Sequence, residues 1–437
     1  MLETAATSFS RKMRHAMKRI VSALYMMTAT FAAAQSISPV RSTDLSPAEQ
    51  SIAEAKKAIA EKPAQYTSHN LLATALVRRA QETSEAGFYA QAEEAVKKSL
   101  ELAPDNFDTE KIQVSILLGE HEYTAALEAA KKLNKRVPDD VMVYGLLTDA
   151  NVELGNYNDA ENAAQWMLNL RPGNLPALIR AAHLRELFGD AEGAYELMDM
   201  AYQSTAPTET GDRAAILTQM GHLRFASGNT EVAEKFFQQA LTSFPGYYSA
   251  LENLAQVRIA QKRYEEAVVL LQQRYRAAPH AGNCYDLAEA LQLAGRDAEA
   301  QKAFAEFETR ALLESSRSQN SNRELVFYYV DRAHQPAKAL KVAQQEHAWR
   351  HDVYTLDAYA WALHVKGRDA EARKQIETAL AVGIRDAKLF RHAGEIVLKS
   401  GDLAAAERYL KQAAELNTVD ATQARSMLAS LSRGSQR

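Results

Sequence analysis

The feature that most constrains this chain is a helix-hairpin segment that recurs along it. In residues 141–174, apolar residues recur every three or four positions on both sides of Gly155, which predicts two helices with one apolar face each. Glycine tolerates a tight turn, and Pro172 ends the second helix because proline has no amide hydrogen. Ala160 is small where the two helices should approach most closely. Such a hairpin cannot bury its apolar side alone, so neighbouring copies are expected to stack on it.

About ten copies of this segment follow one another from about residue 65 to about residue 420. The copy at Arg323–Asp352 is the most degenerate, with only Ala339 clearly in place. Single amphipathic helices are predicted before the first copy, at 48–62, and after the last, at 421–431. We expect these two helices to cover the apolar ends of the stack, as terminal elements do in repeat proteins.

The copies resemble the tetratricopeptide repeat (TPR) family, whose pattern has a large residue at the fourth position, Leu and Gly at the seventh and eighth, Ala at the twentieth and Pro at the end. Tryptophan never occupies the fourth place here, and the terminal proline is absent after about residue 280. The resemblance implies an all-α solenoid of about ten repeats wound into a superhelix. It also implies that the first helix of each hairpin lines a concave side that binds a peptide or partner protein. The matching residues in the copies at 141–174 and 214–246 are Tyr144, Leu147, Ala160, Pro172, Leu217, Gly221, Ala233 and Pro245.

The first thirty-four residues have the layout of a secretory signal peptide. Five basic residues precede an apolar run from Ile20 to Ala34, which is shorter than the roughly twenty residues needed to span a bilayer. We expect cleavage after Ala34 and a periplasmic or secreted protein with no stable membrane span. An uncleaved anchor is the alternative. Cleavage would change the formal net charge from −4 to about −8.

The sequence predicts four segments. A signal peptide at 1–34 and a flexible leader at 35–47 precede an N-terminal repeat array at 48–204. A C-terminal array at 212–432 ends in the capping helix. The expected boundary between the arrays is Ser204–Gly211, a connection that contains proline and threonine and is longer than the usual turn.

Composition and motifs exclude several classes of function. An acidic chain without a basic stripe is not expected to bind nucleic acid. Phosphate-binding glycine loops, zinc-protease motifs and nucleophile elbows are absent from the sequence, so neither an enzyme nor a cofactor is expected. Cys284 is the only cysteine and falls at a large-residue position, where we predict a buried apolar side chain. His347 and His351 are four residues apart, but no further ligand completes a metal site, so we expect no metal and a solvated helix face.

Between Arg323 and Arg391, the positions expected on the concave side combine aromatic rings with paired charges, as binding grooves do. The alternative for the aromatic residues there is packing within the degenerate repeat. A weaker candidate group further along the same side is His183, His222, Tyr285 and Glu289. The Lys and Asn residues with which the family binds a peptide carboxylate are not matched, so a terminal-carboxylate ligand is not favoured. The predicted partner-binding residues are Glu324, Tyr328, Asp331, Arg332, Tyr354, Asp357, Trp361, His364 and Arg391.

Together these features predict an exported, non-catalytic scaffold that binds protein partners of the periplasm or cell envelope through its concave surface. The alternative is binding of an envelope polymer, such as polysaccharide or peptidoglycan, or an accessory role in an envelope enzyme. In that case, rings near Tyr328 and Trp361 would stack on sugars.

Overall fold

The computed structural model describes residues 45–83, 85–315, 323–416 and 418–434. Over these residues the chain forms 22 α-helices and one π-helical turn, with no strand. The expected signal peptide at 1–34 and most of the expected leader at 35–47 lie outside the described residues. No described helix is both long enough and apolar enough to cross a membrane.

The α-helices pair into ten antiparallel hairpins, which we number as repeats one to ten from α2–α3 to α20–α21. Helix α1 precedes them and α22 follows them. Their bounds are α1 (Pro47–Glu61), α2 (Tyr66–Thr83), α3 (Gly87–Leu102), α4 (Phe107–Gly119), α5 (Tyr123–Arg136), α6 (Val141–Glu153), α7 (Tyr157–Leu170), α8 (Leu175–Leu187), α9 (Ala191–Ser204), α10 (Thr210–Ala226), α11 (Thr230–Ser243), α12 (Tyr248–Ala260), α13 (Tyr264–Ala277), α14 (Ala281–Leu293), α15 (Asp297–Ser315), α16 (Arg323–Phe327), the π turn (Tyr328–Arg332), α17 (Pro336–His347), α18 (Val353–Val365), α19 (Asp369–Leu380), α20 (Ala387–Lys399), α21 (Leu403–Ala414) and α22 (Val419–Gly434).

The hairpin predicted at 141–174 is confirmed as α6 and α7. Asp140 caps α6, because its carboxylate accepts a hydrogen bond from the Val143 amide at 2.9 Å and so satisfies a donor that the helix leaves free. Gly155 has φ +78° in the turn, a conformation that costs other residues about 1–2 kcal/mol. The turn residue and the cap therefore fix where each helix begins and ends.

Small residues allow the two helices of each hairpin to pack closely, as predicted. Ala160 and Ala233 are fully buried at these crossings. At Gly221, an added Cβ would lie 2.4 Å from Cε1 of the fully buried Phe237. The large rings of one element thus fill the space that small residues leave on the next.

Both ends of the stack are covered by single helices, as expected. Helix α1 buries Ala48 and Ala55, and α22 buries Ala421 and Ala424 against α20 and α21. Helices α9 and α10 pack on each other across the connection at residues 205–209. The division into two arrays at that connection stays a prediction.

The superhelix is wound so tightly that one turn touches the next. Arg350 forms an ion pair with Glu153, 197 residues away, and the Val353 amide donates a hydrogen bond to the Tyr157 hydroxyl at 2.9 Å. Gly155 lies so close to the His351 carbonyl that an added Cβ would be 2.5 Å from its oxygen. Repeat three therefore contacts the loop that precedes repeat nine.

A second such contact joins Gly189 of repeat four to Gly383 in the loop that follows repeat nine. A Cβ added at Gly189 would lie 2.5 Å from the Gly383 carbonyl oxygen. Because the turns touch, the first helices of the hairpins surround an interior space, which we call the lumen. Two cavities open along it. One, of about 390 Å³, lies between α8, α10, α18 and the loop at residues 384–386, and the other, of about 560 Å³, lies along α4, α6 and α8.

Candidate functional site

Repeat eight departs from the regular hairpin where the candidate site begins. Its first helix, α16, has five residues and continues as the π turn, in which the Ala333 amide donates to the Tyr328 carbonyl at 2.9 Å. His334 then takes a positive φ of 52°, and Pro336 starts α17. A π turn inserts one residue into the helix and re-aims the side chains after it. It brings Asp331 and Arg332 to the lumen side.

Asp331 and Trp361 meet directly. The indole Nε1 of Trp361 donates to the Asp331 carboxylate at 3.1 Å. The indole ring stacks on His392, with centroids 4.1 Å apart and planes 14° from parallel. Trp361 is only 6% exposed, so its ring is already covered by protein. Trp361 thus lies beside charged groups. Its ring is packed within the protein, which was the alternative for the aromatic residues of this region.

His392, which the sequence did not single out, forms the centre of this cluster. Arg391 donates to its Nε2 at 2.9 Å, so Nδ1 carries the ring proton and donates it to the Asp357 carboxylate at 2.7 Å. Burial, followed by the charge of Arg391, lowers the pKa of His392 well below its usual value. Burial raises the pKa of Asp357 to about 7. The pair links repeats nine and ten inside the wall of the lumen.

Arg391 holds the cluster to the capping helix. Its Nε donates to Asp420 at 2.8 Å and its Nη1 to Glu395 at 2.6 Å, while the guanidinium carbon lies 5.4 Å from the centroid of the Trp361 ring. All the donors of a guanidinium are directional, so these contacts fix its position. The structure thus brings Arg391, Trp361, Asp357 and Asp331 together, and their role in partner binding stays a prediction.

Arg332 joins the other candidate group. It donates to Glu289 at 3.0 Å, and Glu289 also accepts a hydrogen bond from the Tyr285 hydroxyl at 3.2 Å. Burial raises the pKa of Glu289. The stronger and the weaker sequence candidates therefore belong to one continuous surface across repeats seven and eight.

Tyr354 and Glu324 lie beside Arg323 on the lumen side. The Arg323 guanidinium is 5.1 Å from the Tyr354 ring centroid and 3.7 Å from the Glu324 carboxylate. Burial alone would raise the pKa of Glu324, but the charges of Arg323, His280 and Lys388, with a backbone hydrogen bond, together lower it. Tyr354 keeps 36% exposure, so its ring offers a free face to the lumen.

Tyr328 and His364 have structural contacts. The Tyr328 ring packs edge-on against Phe307, with centroids 5.5 Å apart, and its hydroxyl donates to Glu308 at 3.4 Å. His364 Nδ1 lies 2.6 Å from the Asp369 carboxylate at the start of α19. Among the rings for which packing was the alternative, Phe327, Tyr329 and Trp361 are buried and Trp349 is half exposed.

His222 lies within the lumen and is surrounded by protein, yet 44% of its side chain is exposed. Its Nε2 is 3.1 Å from Glu186 and its Nδ1 is 3.2 Å from Asn253. Burial would lower the pKa of His222, but the hydrogen bond and charge of Glu186, together with Asn253 and Glu252, raise it to about 9. His183 is exposed on α8. Groups such as His222 line an open interior space rather than a packed core.

Sequence reasoning missed five lumen residues: Glu186, Arg323, Asp386, Lys388 and His392. The helical period offered a signal for two of them, since Lys388 and His392 flank Arg391 on α20 within one turn. For Glu186 no local signal existed, because it reaches the site only through the contact between the superhelical turns.

Cys284 is buried, as predicted, and burial raises the pKa of its thiol to about 11. The expectation that His347 and His351 share a solvated helix face is wrong. Helix α17 ends at His347, whose ring stacks on Tyr359 with centroids 4.5 Å apart. Within the described parts of the chain, no three His, Cys, Asp or Glu side chains cluster as metal ligands do.

Residues 218–282 match a family model described as tetratricopeptide repeat. Among solved structures, the chain is similar to the Cut9–Hcn1 hetero-tetramer of APC/C, with 14% identity and a TM-score of 0.47. That match covers 80% of this chain and 60% of the other. No curated protein sequence matches the chain.

Two further solved structures are similar to the chain. The human IFIT1 dimer with PPP-AAAA is 12% identical, with a TM-score of 0.47 and coverage of 85% of this chain and 95% of that chain. A thermophilic TPR protein of Thermus thermophilus is 19% identical, with a TM-score of 0.36 and coverage of 40% of this chain and 92% of that chain.

The segment that the family model matches covers most of repeats five and six of an array whose other hairpins stack in the same way. The chain is a superhelical array of helix hairpins, and residues 218–282 of it match the tetratricopeptide repeat.

Proposed function

We propose that this protein is a non-catalytic scaffold that binds a segment of a partner protein in its lumen. The observation that carries the proposal is the partial exposure of polar side chains inside the superhelix, such as Tyr354 and His222. These side chains lie on the first helices of the hairpins and stay accessible although protein surrounds them. They therefore form a concave surface that exists before any ligand binds, as ligand-binding sites of proteins usually do.

The residues best placed for contact are those that combine charge or an aromatic face with exposure. Arg332, Glu324 and Tyr354 meet this condition. Asp357, Trp361 and Arg391 lie behind them and hold the wall in place through their mutual contacts. The predicted site therefore divides into a contact layer and a supporting layer.

We place this scaffold in the periplasm or cell envelope. The support for that location is the signal-peptide pattern of residues 1–34. Amino-terminal sequencing of the protein from its native host tests it, because cleavage predicts Gln35 as the first residue.

The binding role is tested by capture of partners on tagged mature protein, with identification by mass spectrometry. Arg332→Gln removes an exposed lumen charge, and Arg368→Gln removes an arginine that pairs with Glu371 at 2.6 Å outside the site. We expect a partner that wild type and Arg368→Gln retain and Arg332→Gln loses. Equal recovery on both variants would overturn the proposed surface.

Binding of an envelope polymer receives less support from the geometry. The rings of Trp361 and Tyr328, on which sugars would stack, are covered by His392 and Phe307. A glycan bound by wild type and lost by Tyr354→Ala would nevertheless favour the polymer over the protein partner.

A further inference from the structure

Along the superhelix, several arginines are each shared by two or more carboxylates. Each such set leaves negative charge uncompensated. These sets are Arg274 with Glu252 and Asp286, Arg350 with Glu153, Glu346 and Asp352, and Arg391 with Glu395 and Asp420.

Asp386 adds to this excess. Its carboxylate caps α20 by accepting from the Leu389 amide at 2.9 Å, and it forms no ion pair with any residue in the described ranges. Burial raises the pKa of Asp386, and the charges of Asp357 and Asp420 raise it further. The nearby Lys388 acts in the opposite direction, but its ammonium lies over the Phe327 ring at 4.6 Å.

The cavity of about 390 Å³ opens beside Asp386. Glu186 of α8 and Tyr354 of α18 line it together with Asp386. Two cations also line it, and each pairs with a carboxylate of the same lining: Arg385 is 3.4 Å from Glu415, and His222 is 3.1 Å from Glu186. These pairs leave Asp386 as the lining carboxylate that has no ion pair within the described ranges. An aromatic face beside carboxylates is the arrangement that binds an ammonium or guanidinium group.

We propose that the lumen binds an extended polypeptide segment rich in Lys and Arg, with one cationic side chain seated in this cavity against Tyr354 and between Glu186 and Asp386. This inference rests on the proposed scaffold function and specifies the chemistry of its partner. The uncompensated negative charge would also attract such a segment during the encounter.

Two labelled peptides of equal length test the proposal: a twelve-residue alternating Lys–Ala peptide and its Glu–Ala counterpart, measured by fluorescence anisotropy. We expect the Lys–Ala peptide to bind at least about tenfold more tightly, and higher salt to weaken its binding because exposed charges are screened. Equal affinities, or an affinity that salt does not change, would overturn the inference.

Three variants locate the binding. Asp386→Asn keeps the acceptor that caps α20, and Glu186→Gln keeps the size of the side chain. Asp402→Asn is the matched control, because Asp402 caps α21 in the same way, with 3.1 Å to the Ala405 amide, outside the cavity. We expect both cavity variants, but not the control, to weaken binding of the Lys–Ala peptide by about fivefold or more. Should Asp386→Asn lower the melting temperature, Glu186→Gln alone decides the test.

The two proposals fail in different ways. If Arg332→Gln abolishes capture of the native partner but the cavity variants leave Lys–Ala binding unchanged, the scaffold stands and the cationic partner is rejected. If the Lys–Ala peptide binds and the cavity variants weaken it, while capture is insensitive to Arg332, the cation site stands and the contact surface proposed above is rejected.

Discussion

Repeats five and eight are each flanked by two other hairpins of the stack but are built differently. Repeat five (α10 and α11) is regular, with Ala233 fully buried at the helix crossing and Gly228 alone in an open turn. In repeat eight (α16, the π turn and α17), the first helix continues into the π turn, and the loop that follows the repeat, at 348–352, reaches across to repeat three.

Both repeats contact elements beyond their immediate neighbours, because Asp212 at the start of α10 lies 3.4 Å from Arg78 of α2 and Arg350 after α17 pairs with Glu153 of α6. They differ at the turn, since nothing lies within 4 Å of a Cβ added at Gly228 in the regular repeat. In repeat eight, the π turn interrupts the regular hairpin and supplies Asp331 and Arg332 to the lumen. The loop after the repeat supplies Arg350 to the neighbouring turn of the superhelix. In repeat eight, the residues that depart from the repeat pattern are thus the ones that make the polar contacts with Trp361 and Glu289.

The largest expected effect is in the loop after repeat eight. Arg350→Met removes the cation that Glu346 and Asp352, both buried, share with Glu153. Removing one partner of a buried pair costs about 3–5 kcal/mol, which urea unfolding would measure. Arg385→Met is the control. Its pair with Glu415 is exposed, and a loss above about 1 kcal/mol there would contradict the distinction.

In the regular repeat, the expected damage comes from packing. Ala233→Phe inserts a ring where α10 and α11 cross, and overpacking of this kind costs about 1–3 kcal/mol. Ala298→Phe, at an exposed alanine of α15, is the matched control and should change the melting temperature little. A melting temperature of Ala233→Phe equal to that of wild type would show that the helix crossing lies elsewhere.

Two glycines separate local turn strain from the contact between superhelical turns. Gly155 and Gly228 have φ of +78° and +85°, so Gly→Ala strains the backbone by about 1–2 kcal/mol at either site. At Gly155 the new Cβ would also lie 2.5 Å from the His351 oxygen, whereas at Gly228 nothing lies within 4 Å. Gly155→Ala should therefore lose more stability than Gly228→Ala in the same unfolding assay. Equal losses would show that the two turns of the superhelix separate freely in solution.

The smallest effect depends on pH. Burial, followed by the charge of Arg350, lowers the pKa of His121 from 6.5 to about 4. Below pH 6.5 the unfolded chain binds a proton at this position that the folded chain does not, so His121 lowers stability as pH falls from 6.5 to 4.

His121→Asn removes this pH dependence and suits the positive φ of 65° at the site. Between pH 7 and pH 5, we expect the variant to lose less of its free energy of unfolding than wild type. His183→Asn, at an exposed histidine of α8, controls for the loss of an imidazole. A variant that loses as much stability as wild type would mean that His121 is accessible to water.

Most of the fold could be predicted from the sequence because each hairpin is specified locally. The apolar period around Gly155, the small residue Ala160 and the capping helices at both ends were all placed correctly. The buried state of Cys284 followed from its position in the repeat.

The site was predictable only in part. Asp331, Asp357, Trp361 and Arg391 were brought together as the register implied. The π turn was not foreseen, because one inserted residue leaves little trace in an apolar period of three and four. Neither was the approach of Glu186 to Tyr354, which depends on how far the superhelix rises per turn. That rise sums small rotations over many repeats, and no local segment encodes it.

The contact between repeats three and four and the loops beside repeat nine also restricts how this chain can change over evolution. Arrays of helical hairpins commonly gain and lose whole units by duplication and deletion, since each unit contacts only its neighbours. Here, an added or missing hairpin between Tyr157 and Val353 would shift every later loop by one position and break their hydrogen bond. Over that stretch the number of hairpins is fixed, and only loop lengths and side chains remain free to vary.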